Sequence, residues 1–376
     1  VAERLRINSS SNIYRSFMER RNFLGMIGGL IISSPSWPQA ASHSHHGDAL
    51  YSSLRDPSAK EAPTALMAQQ HVFDSPAPKS KQPGRWMRRA TLPLPRSEMA
   101  WATVMNQQMH VLGGYGEQRV DRAYHHVYDP KQDRWFDAPA LPRGANHVGV
   151  AVLGDQLYAV GGHLEQNRKP DSRCFVLEKS QWREIAPLPQ RCGAVALVAL
   201  NGNIHAVGGA IGDTFSDKKS VNWHTMYVPA QDRWVALTPL PTGRDHTGTL
   251  VVNDLIHVLG GRVDSFHTNS NLHHSWDAKT DRWTMRNPLP TARSGHGAVF
   301  FKGKIFVMGG EGTNRVYGQN EAYDLQTDRW ESYAPMPTPR HGMGAAAIGN
   351  MIYVAGGGPI MGGDIQSALH EAFTLD

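Results

Sequence analysis

Short apolar runs rich in Val, Ile, Phe and Tyr alternate along this chain with polar turns that contain Gly, Asp, Asn or Pro. Such an alternation predicts short antiparallel strands joined by tight turns. One stretch shows the order clearly, with runs at residues 293–301, 305–310, 320–324 and 328–333. We interpret these four runs as strands a, b, c and d of a single sheet.

The same pattern recurs at nearly fixed spacing. Steps of 49, 47, 52, 49 and 47 residues separate six tryptophans: Trp86, Trp135, Trp182, Trp234, Trp283 and Trp330. Six glycine pairs end strand b and begin at Gly113, Gly161, Gly208, Gly260, Gly309 and Gly356. A period near 50 residues predicts one sheet-sized unit that is copied six times. The glycines are expected where a side chain would crowd the neighbouring sheet.

The phase of the repeat predicts how the copies join. Residues 85–90 look like a strand d without strands a, b or c before it. The last copy has strands at residues 341–348, 350–357 and 368–375, and no fourth strand after them. Pairing the first strand with the last one would complete a sheet and hide an exposed edge. We therefore expect six sheets in a ring.

The Gly-Gly, Tyr-Asp and Trp spacing over residues 84–376 resembles the kelch repeat, a family whose sheets form the blades of a β-propeller. The resemblance implies an all-β fold: a six-bladed kelch β-propeller with four antiparallel strands per blade. Its ring would close by pairing of the N-terminal strand d with the C-terminal strand c. The Asp-Arg-Trp step is predicted to be a tight c–d turn, in which the Asp accepts backbone hydrogen bonds. It recurs at Asp133, Asp232, Asp281 and Asp328.

The first residues have a different character. Arg20 and Arg21, an apolar run at residues 24–32 and small residues up to Ser42 resemble a twin-arginine export signal over residues 1–42. A coincidental arginine pair is the alternative. The apolar run is too short to span a bilayer. We expect a flexible linker over residues 43–83, the propeller over residues 84–376, and a periplasmic or secreted protein with no membrane contact after signal cleavage.

Charge and cysteine content narrow the function. The chain has 38 Lys and Arg against 33 Asp and Glu, a net charge of +5. Removing residues 1–40 deletes five of the former and two of the latter, which leaves 33 against 31, or +2. A net charge this close to zero does not favour a nucleic-acid-binding function. The two cysteines, Cys174 and Cys192, are few for an oxidising compartment. A disulfide stays open, although two separate buried thiols fit the predicted strands better.

Candidate binding residues lie where the strands end on one face of the predicted ring. An arginine follows the d–a loop in each copy: Arg96, Arg143, Arg191, Arg244, Arg293 and Arg340. Six guanidinium groups around one channel mouth would repel one another, and an anionic ligand would relieve that repulsion. A structural role is the alternative, with each arginine bonded to loop carbonyls or to acidic groups.

Histidines follow these arginines at His147, His246, His296 and His341. Their offsets from the next glycine pair are 14, 14, 13 and 15 residues, so they cannot form one uniform ring. His110, His205 and His257 replace an aromatic residue of strand b, and we expect them in the core. His125, His224, His273 and His370 recur in strand c and are also interpreted as part of the repeat.

The b–c loops differ between the copies, and specificity is expected there. Their polar candidates are Arg168, the stretch 213–219, Arg262, Asp264, His267, Asn269, Glu311, Asn314 and Arg315. Glu311 after a glycine pair, followed by Arg315, is similar to a pattern in periplasmic sialic-acid mutarotases. That resemblance implies that Glu311 moves a proton and that Arg315 holds a sugar carboxylate. Similarity to the galactose oxidase kelch domain implies a copper radical site, for which Tyr124-His125 is the one adjacent Tyr-His pair.

The predicted function is that of an exported binding module that does not transform its ligand. The ligand would be an acidic sugar or an acidic segment of a periplasmic protein, bound at the channel mouth. The predicted ligand-binding residues are Arg143, Arg191, Arg244, Arg293, Arg340, Arg262, His246, His296, His341 and Asn314. A mutarotase using Glu311 and Arg315, and a copper radical oxidase, are the alternatives. No cofactor or metal site is expected, because the blades lack a phosphate-binding glycine loop and His-x-x-x-His spacing.

Overall fold

The computed structural model describes residues 62–99, 101–214 and 216–376 of the chain. The predicted export signal at residues 1–42 lies outside these residues. The described part begins with helix α1 (Ala62–Gln70), the short strand β1 (His71–Val72) and strand β2 (Arg85–Arg88). In the described parts of the chain, no helix combines the length and the apolar character needed to cross a bilayer.

Six four-stranded antiparallel sheets make up the rest of the described residues, and we call them blades 1 to 6. Blade 1 contains β3 (Thr103–Met105), β4 (Gln108–Leu112), β5 (His125–Asp129) and β6 (Arg134–Ala138). Blade 2 contains β7 (Gly149–Leu153), β8 (Gln156–Val160), the hairpin β9 (His163–Leu164) and β10 (Lys169–Pro170), β11 (Cys174–Glu178) and β12 (Gln181–Ile185). Blade 3 contains β13 (Ala196–Leu200), β14 (Asn203–Val207), the hairpin β15 (Ala210–Ile211) and β16 (Lys219–Ser220), β17 (His224–Val228) and β18 (Arg233–Ala236).

The last three blades follow the same order. Blade 4 contains β19 (Gly248–Val252), β20 (Leu255–Leu259), the hairpin β21 (Arg262–Val263) and β22 (Ser265–Asn269), β23 (His273–Asp277) and β24 (Arg282–Arg286). Blade 5 contains β25 (Gly297–Phe301), β26 (Lys304–Met308), the hairpin β27 (Glu311–Gly312) and β28 (Arg315–Tyr317), β29 (Asn320–Asp324) and β30 (Arg329–Tyr333). Blade 6 contains β31 (Gly344–Ile348), β32 (Met351–Ala355) and β33 (His370–Thr374), and β2 is its fourth strand.

The innermost strand a of each blade contacts the strands a of its two neighbours, in the cyclic order β3, β7, β13, β19, β25, β31 and back to β3. The pairing expected from the phase of the repeat is present, because β2 pairs antiparallel with β33 and places Trp86 opposite Phe373. The two rings lie 5.3 Å apart between centroids. The all-β propeller predicted from the sequence is therefore the observed fold.

Both glycines of each pair have a left-handed backbone conformation, which other residues adopt only with strain. In blade 1, Gly113 and Gly114 have φ angles of 62° and 94°. A Cβ atom on Gly113 would lie 2.6 Å from the carbonyl oxygen of Ala145 in the next blade. The crowding expected from the sequence is confirmed, and it explains why both positions are glycine.

The Asp and Trp of the repeat connect each blade to the chain segment before it. Asp133 accepts a hydrogen bond from the backbone N–H of Ala90 at 3.0 Å, and Trp135 donates through Nε1 to the carbonyl of the same residue at 2.8 Å. Asp232 and Trp234 bind Ala186 in the same way, at 2.8 and 2.9 Å. The Asp was expected to accept hydrogen bonds from backbone N–H groups near its own turn. It accepts instead from a loop residue more than 40 positions earlier, and it thereby joins neighbouring blades.

The prediction of a flexible linker over residues 43–83 is wrong for residues 62–83. β1 pairs parallel with β28 of blade 5, and Ser75 donates a hydrogen bond to Glu321 at 2.5 Å. Farther along, the N–H of Ser332 on the outer strand of blade 5 binds the carbonyl of Pro78 at 2.8 Å. An outer strand has unpaired backbone groups, and this segment satisfies some of them. Ser- and Pro-rich composition did not reveal that pairing.

Candidate functional site at the propeller axis

Six equivalent residues surround the axis where strand a begins, and we call them the axial ring: Glu98, His147, Ala194, His246, Gly295 and Gly342. All six have left-handed backbones, with φ between 49° and 62°. Neighbouring members are joined by backbone hydrogen bonds, for example from the N–H of His147 to the carbonyl of Glu98 at 3.0 Å. This geometry is uncommon for residues other than glycine, and such backbones concentrate at functional sites.

Glu98 is at the centre of a buried polar cluster. Its Oε2 lies 2.9 Å from His147 Nε2, and its Oε1 lies 3.0 Å from His341 Nδ1. His341 Nδ1 also lies 3.6 Å from Oε2 of Glu311. The ring of His246 packs against that of His147 with centroids 4.5 Å apart. These side chains come from five different blades or their preceding loops, and each residue is at most 5% exposed.

Arg262 completes the cluster. Its guanidinium donates to Asp245 at 3.0 Å, to Glu311 at 3.1 Å and to His246 Nε2 at 3.0 Å. Arg262 and Glu311 immediately follow a glycine pair. Arg262 forms a backbone bridge with Asp245, and Glu311 forms one with Ser294. Each bridge partner is the residue just before the axial-ring position of the same blade. Buried charges of opposite sign therefore face one another, which is the arrangement that makes their burial tolerable.

The cluster sets the protonation of its members. Although burial opposes the charged form, Glu311 and Glu98 raise the pKa of His341 to about 9. Burial raises the pKa of Glu98, but His147 and His341 outweigh it and hold that pKa well below its usual range. For His246, burial and the nearby Arg262 lower the pKa to about 4. These shifts favour an ionised Glu98, a protonated His341 and a neutral His246 at neutral pH.

Three histidines each have one ring nitrogen bound to an oxygen outside the centre. Nδ1 of His147 bonds to Asn146 Oδ1, Nδ1 of His246 bonds to Asp245 Oδ1, and Nε2 of His341 lies 2.8 Å from the carbonyl oxygen of Ile360. The other nitrogen of each ring faces the cluster. His147 Nε2 and His341 Nδ1 make no directed hydrogen bond there, although Glu98 is within contact distance.

This donor set can hold a metal ion. The ligand atoms of Glu98, His147 and His246 lie within 4.8 Å of one another, and so do those of Glu98, Glu311 and His341. Imidazole and carboxylate ligands suit Zn, Ni, Cu, Fe or Mn. An oxygen bonded to the far nitrogen of a histidine fixes its tautomer and orients it, as in known metal sites.

The cluster is covered on the mouth side by residues 359–364 of the long b–c loop of blade 6. The N–H of Gly362 donates to Oε2 of Glu311 at 2.9 Å, and Asp364 pairs with Arg119 at 2.7 Å. The N-terminal segment supports the same loop, because Gln70 accepts a hydrogen bond from the N–H of Met361 at 2.9 Å. The loop therefore limits access from this face.

A cavity of about 340 Å³ lies along the axis between the inner strands. It is lined mainly by small and apolar residues of the strands a. Trp101, at its wall, contacts the ring of His246 at 6.4 Å between centroids. Trp101 thus links the wall of the cavity to the polar cluster.

Four of the six predicted mouth arginines lie inside the blades, and for these the alternative structural role is the observed one. Arg96, Arg244, Arg293 and Arg340 are completely buried. Their guanidinium groups bind backbone carbonyls of their own blade, and Arg293 and Arg340 also pair with Glu321 and Glu371 at 2.8 and 2.7 Å. The predicted anion-binding ring is therefore wrong, since these groups are bonded within the fold.

The other two arginines are shifted in register. Arg143 is mostly buried and binds Asp171 at 2.5 Å, whereas the side chain of Arg191 is 55% exposed and pairs with Asp213 at 3.1 Å. The positions equivalent to Arg96 in these blades are Ala145 and Cys192, whose carbonyls accept the equivalent backbone hydrogen bonds. The spacing from the repeated Trp is the signal that could have revealed this shift: the four buried arginines each lie ten residues after a Trp, and Ala145 and Cys192 stand at that position in blades 2 and 3.

The different offsets of these histidines correctly indicated that their side chains do not all point in the same direction. His147 and His246 share the axial ring, and His341 precedes it. His296 follows the ring and accepts a hydrogen bond from the N–H of Gly248 at 3.2 Å, so it packs between blades and not in the cluster. Of the predicted ligand-binding residues, the structure brings together Arg262, His246 and His341.

The predicted catalytic pair is not formed. Glu311 is buried and bonded to Arg262, whereas Arg315 is exposed on β28. Asn314 is also exposed, and its N–H contacts the sulfur of Met361 at 3.2 Å. His125, the partner of Tyr124 in the copper hypothesis, bonds to His110 at 2.9 Å in the blade core. Neither enzymatic alternative is supported by the contacts on which it was based.

The remaining sequence predictions concern the core. His110, His205 and His257 are buried as expected, and each bonds to the strand c histidine beside it. Cys174 and Cys192 are separate buried thiols. Sequence reasoning missed Glu98 and Asp245, although Glu98 lies 12 residues after Trp86, as His147 and His246 do after Trp135 and Trp234. It could have grouped Tyr115, His163, Arg262 and Glu311, since each directly follows a glycine pair.

Comparison with known proteins identifies similar repeats. The family model described as the KLHDC2/KLHL20/DRC7 Kelch-repeats domain matches residues 194–376, and the Kelch motif matches residues 145–189. Kelch-like protein terF of Aspergillus terreus is 28% identical over 209 residues, which cover 50% of this chain and 44% of that protein.

Two vertebrate relatives show similar values. Kelch-like protein 35 of Mus musculus is 26% identical over 166 residues, which cover 44% of this chain and 27% of that protein. Kelch-like protein 34 of Homo sapiens is 28% identical over 168 residues, which cover 43% and 25%. The chain thus spans less than half of the length of each of these relatives.

Proposed function

Since the chain belongs to the kelch-repeat family, we propose that it is a protein-interaction module whose partner binds across the face formed by the d–a and b–c loops. We call this the mouth face. Kelch domains generally act as protein-interaction modules. The observation that carries the proposal for this chain is the difference between its b–c loops. Those of blades 2 to 5 contain hairpins of different length on a common sheet framework, and such loops are where recognition is usually located.

The charges of the mouth face favour a polypeptide over an acidic sugar. Arg191 pairs with Asp213 at 3.1 Å, Lys219 with Asp264 at 3.2 Å, and Lys169 with Glu165 at 2.7 Å. Exposed pairs of both signs provide polar contacts for a broad surface, and they do not concentrate one sign of charge. The buried arginines leave no cationic ring for a small anion.

Site-resolved photo-crosslinking in the native cells tests this proposal. A photoreactive amino acid would replace Arg168 or Arg315 on the mouth face, or Lys131 or Lys302 in the exposed turns of the opposite face. The mouth positions are expected to crosslink to the same polypeptide, and the turn positions are not. Crosslinks to that polypeptide from the opposite face alone would contradict the proposal.

We also propose that the protein acts in the periplasm or outside the cell after twin-arginine export. The support is the sequence pattern of Arg20, Arg21 and the apolar run after them. Fractionation of cells that express the full chain tests it. Arg20→Lys with Arg21→Lys is expected to retain the protein in the cytoplasm, and an unchanged distribution would rule out this route.

A second function is favoured by the ring nitrogens that face Glu98. We infer that the axial cluster binds a divalent first-row metal ion, with Glu98 as the ligand that both candidate triads share. The fixed tautomers of His147 and His246 leave Nε2 of each ring on the side of Glu98. Arg262 opposes this binding, because its positive charge lies 3.0 Å from His246 Nε2.

Co(II) titration, followed by visible absorption and calorimetry, tests the inference. Glu98→Gln is expected to lower affinity by at least about tenfold, since it removes a charged ligand. Arg262→Gln is expected to raise affinity, because it removes a nearby positive charge. The exposed substitution Lys302→Gln is the control. Equal binding by the wild type and by Glu98→Gln would exclude this site.

A further inference from the structure

Four blades contain a buried guanidinium group in an equivalent place. Arg96 donates to the carbonyl oxygens of Gly113 at 2.9 Å and Tyr124 at 3.1 Å. Arg244 donates to those of Gly260 at 2.7 Å and Leu272 at 2.8 Å. Arg293 and Arg340 make corresponding bonds in blades 5 and 6. The acceptors are backbone carbonyl oxygens at three equivalent positions. These positions are the first glycine of the pair, the residue two positions before that glycine, and the last residue before strand c.

Blade 2 fills the same place from a different chain position. Ala145 is equivalent to Arg96 there, but Arg143 bonds to the carbonyl oxygen of Gly161, the first glycine of that blade's pair. Its guanidinium also lies 5.1 Å from the centre of the Phe175 ring on strand c. A guanidinium group is thus retained in blade 2 despite the shift in register.

Blade 3 departs from this arrangement. Cys192 occupies the position equivalent to Arg96, and the adjacent Arg191 extends outward to Asp213 at 3.1 Å. A cavity of about 410 Å³ is present there, lined by Ala206, Gly208, Trp223 and Thr225 among others. These four positions correspond to those that contact the guanidinium group in the other blades. The cavity therefore has the acceptors of an arginine site without the arginine.

The acceptors of this cavity can each bind a further donor. The carbonyl of Trp223 accepts the N–H of Gly208 at 2.8 Å, and in blade 1 the equivalent carbonyl of Tyr124 accepts both the N–H of Gly113 and Arg96. The carbonyl oxygen of Gly208 receives a weak contact from the thiol of Cys192 at 3.7 Å. Burial raises the pKa of that thiol to about 12, so it stays neutral. Thr225 Oγ1 donates to the carbonyl of Val235 at 3.1 Å and keeps its lone pairs. A carbonyl that faces an apolar cavity is stabilised by a donor.

The rest of the lining suits an arginine side chain. Leu188, Pro189, Leu237 and Pro239 contribute apolar surface, against which three methylene groups can pack. Gln190 also lines the cavity and is exposed, in the d–a loop of the mouth face. The positive charge does not need a carboxylate partner, because Arg96 and Arg244 are buried with carbonyls and a histidine as their acceptors.

We propose that the blade 3 cavity binds the guanidinium group of an arginine side chain supplied by a partner polypeptide. The planar fork of guanidinium matches two carbonyl acceptors at once, which an ammonium group cannot do. This inference rests on the proposed interaction function for the origin of the arginine. Recognition of guanidinium by the cavity is independent of it.

Binding of small probes tests the cavity without the partner. N-acetyl-arginine amide would be titrated into the full chain by calorimetry and NMR, beside the lysine and citrulline analogues. The arginine probe is expected to bind at least about tenfold more tightly than either analogue. Equal binding of arginine and citrulline probes, or no binding of the arginine probe, would overturn the inference.

Two substitutions locate the binding. Cys192→Arg copies the residue of four other blades and is expected to fill the cavity from within, which would abolish probe binding and raise the melting temperature. Cys192→Leu blocks the cavity with an apolar side chain and is expected to abolish probe binding as well, should the arginine variant not fold. Arg191→Gln is the matched control and is expected to bind the probe as the wild type does. Unchanged probe binding by a folded Cys192→Arg or Cys192→Leu variant would also overturn the inference.

The partner experiment separates the two proposals. If mouth positions crosslink to one polypeptide in the wild type and in Cys192→Arg alike, while no arginine probe binds, the interaction function stands and the cavity inference fails. If the probe binds and Cys192→Arg removes it, but no mouth position crosslinks, the cavity inference stands without its proposed source. Loss of the mouth crosslinks in Cys192→Arg is the result expected when both are correct.

Discussion

At the residue scale, the repeated Asp and Trp act as a clamp on one backbone unit. In blade 3, Asp232 accepts a hydrogen bond from the N–H of Ala186, and Trp234 donates one to the carbonyl oxygen of Ala186. Asp232 also accepts a hydrogen bond from the hydroxyl of Tyr227 at 2.8 Å. The clamp satisfies both polar groups of a loop residue and fixes one blade against the next. This explains why Asp and Trp recur with the fold and not at a single site.

Asp232→Ala is expected to lower the free energy of unfolding by about 0.5–1.5 kcal/mol, because it removes the acceptor of the Ala186 N–H and of the tyrosine hydroxyl at a site that water can reach. Asp232→Asn keeps an oxygen acceptor and should cost less. Asn201→Ala is a matched control, since Asn201 is exposed and also left-handed at φ 51°. Urea unfolding measures all three, and equal losses for Asp232→Ala and Asn201→Ala would show that backbone strain alone accounts for the effect.

At the element scale, strands b and c of three blades are joined by a pair of histidines. His205 Nδ1 lies 3.0 Å from His224 Nε2, and blades 1 and 4 have the same pair. Burial lowers the pKa of both His205 and His224 to about 4. Blade 5 has Phe306 and Asn320 at these positions. The pairs are thus structural features of the sheet that require neutral imidazoles.

The sign of the pH effect follows from these pKa values. An unfolded histidine has a pKa near 6.5, so between pH 6.5 and about 4 the unfolded chain binds more protons than the folded one. Stability that is present above pH 6.5 is therefore lost as the pH falls toward 4. His205→Phe with His224→Asn, which copies blade 5, is expected to move the midpoint of acid unfolding to lower pH. Circular dichroism measures the midpoint, and an unchanged value would argue against this titration.

At the element scale, the sequence predicted the strands but not all of the contacts between them. The apolar runs and glycine pairs located the strands, because strand length and turn chemistry are local properties. The different placement of Arg143 and Arg191 was local as well, since they lie 8 and 9 residues after the repeated Trp and the four buried arginines each lie 10 residues after it. The pairing of Ser75 and Pro78 with blade 5, in contrast, has no local signal.

At the scale of the whole molecule, the ring depends on contacts between the two ends of the described chain. Trp86 on β2 packs on Phe373 and donates through Nε1 to the carbonyl of Ala334 at 2.8 Å. No covalent link holds β2 to β33, so side-chain packing and the strand pairing together stabilise the closure. Blade 6 is consequently the place where the ring can open without breaking a continuous hairpin.

Trp86→Ala is expected to lower the free energy of unfolding by about 3 kcal/mol, because it removes a large packed side chain and its hydrogen bond. Thermal unfolding should also become broader, as blade 6 would separate before the others. Met285→Ala, at an exposed site, serves as the control. A loss no larger than that of the control would contradict a closing role for this strand.

The axial cluster adds an alkaline limit to stability. The pKa of His341 is raised to about 9 in the folded protein, against about 6.5 when unfolded. Its contribution is therefore fully present below pH 6.5 and is lost as the pH rises through 9. His341→Gln is expected to flatten the fall in melting temperature between pH 7 and 9.5. A parallel fall in both proteins would assign that loss to other groups.

The sequence by itself determined the sheets, their repeat and the pairing of the first strand with the last. Those features follow from local patterns that are copied along the chain. The tertiary structure decided which side chains meet. Glu98, His147 and His246 are far apart in sequence but occupy one ring position, so rotation about the axis brings them together. It also decided that Arg96, Arg244, Arg293 and Arg340 point into their blades, because buried carbonyls need donors that a one-dimensional pattern cannot locate.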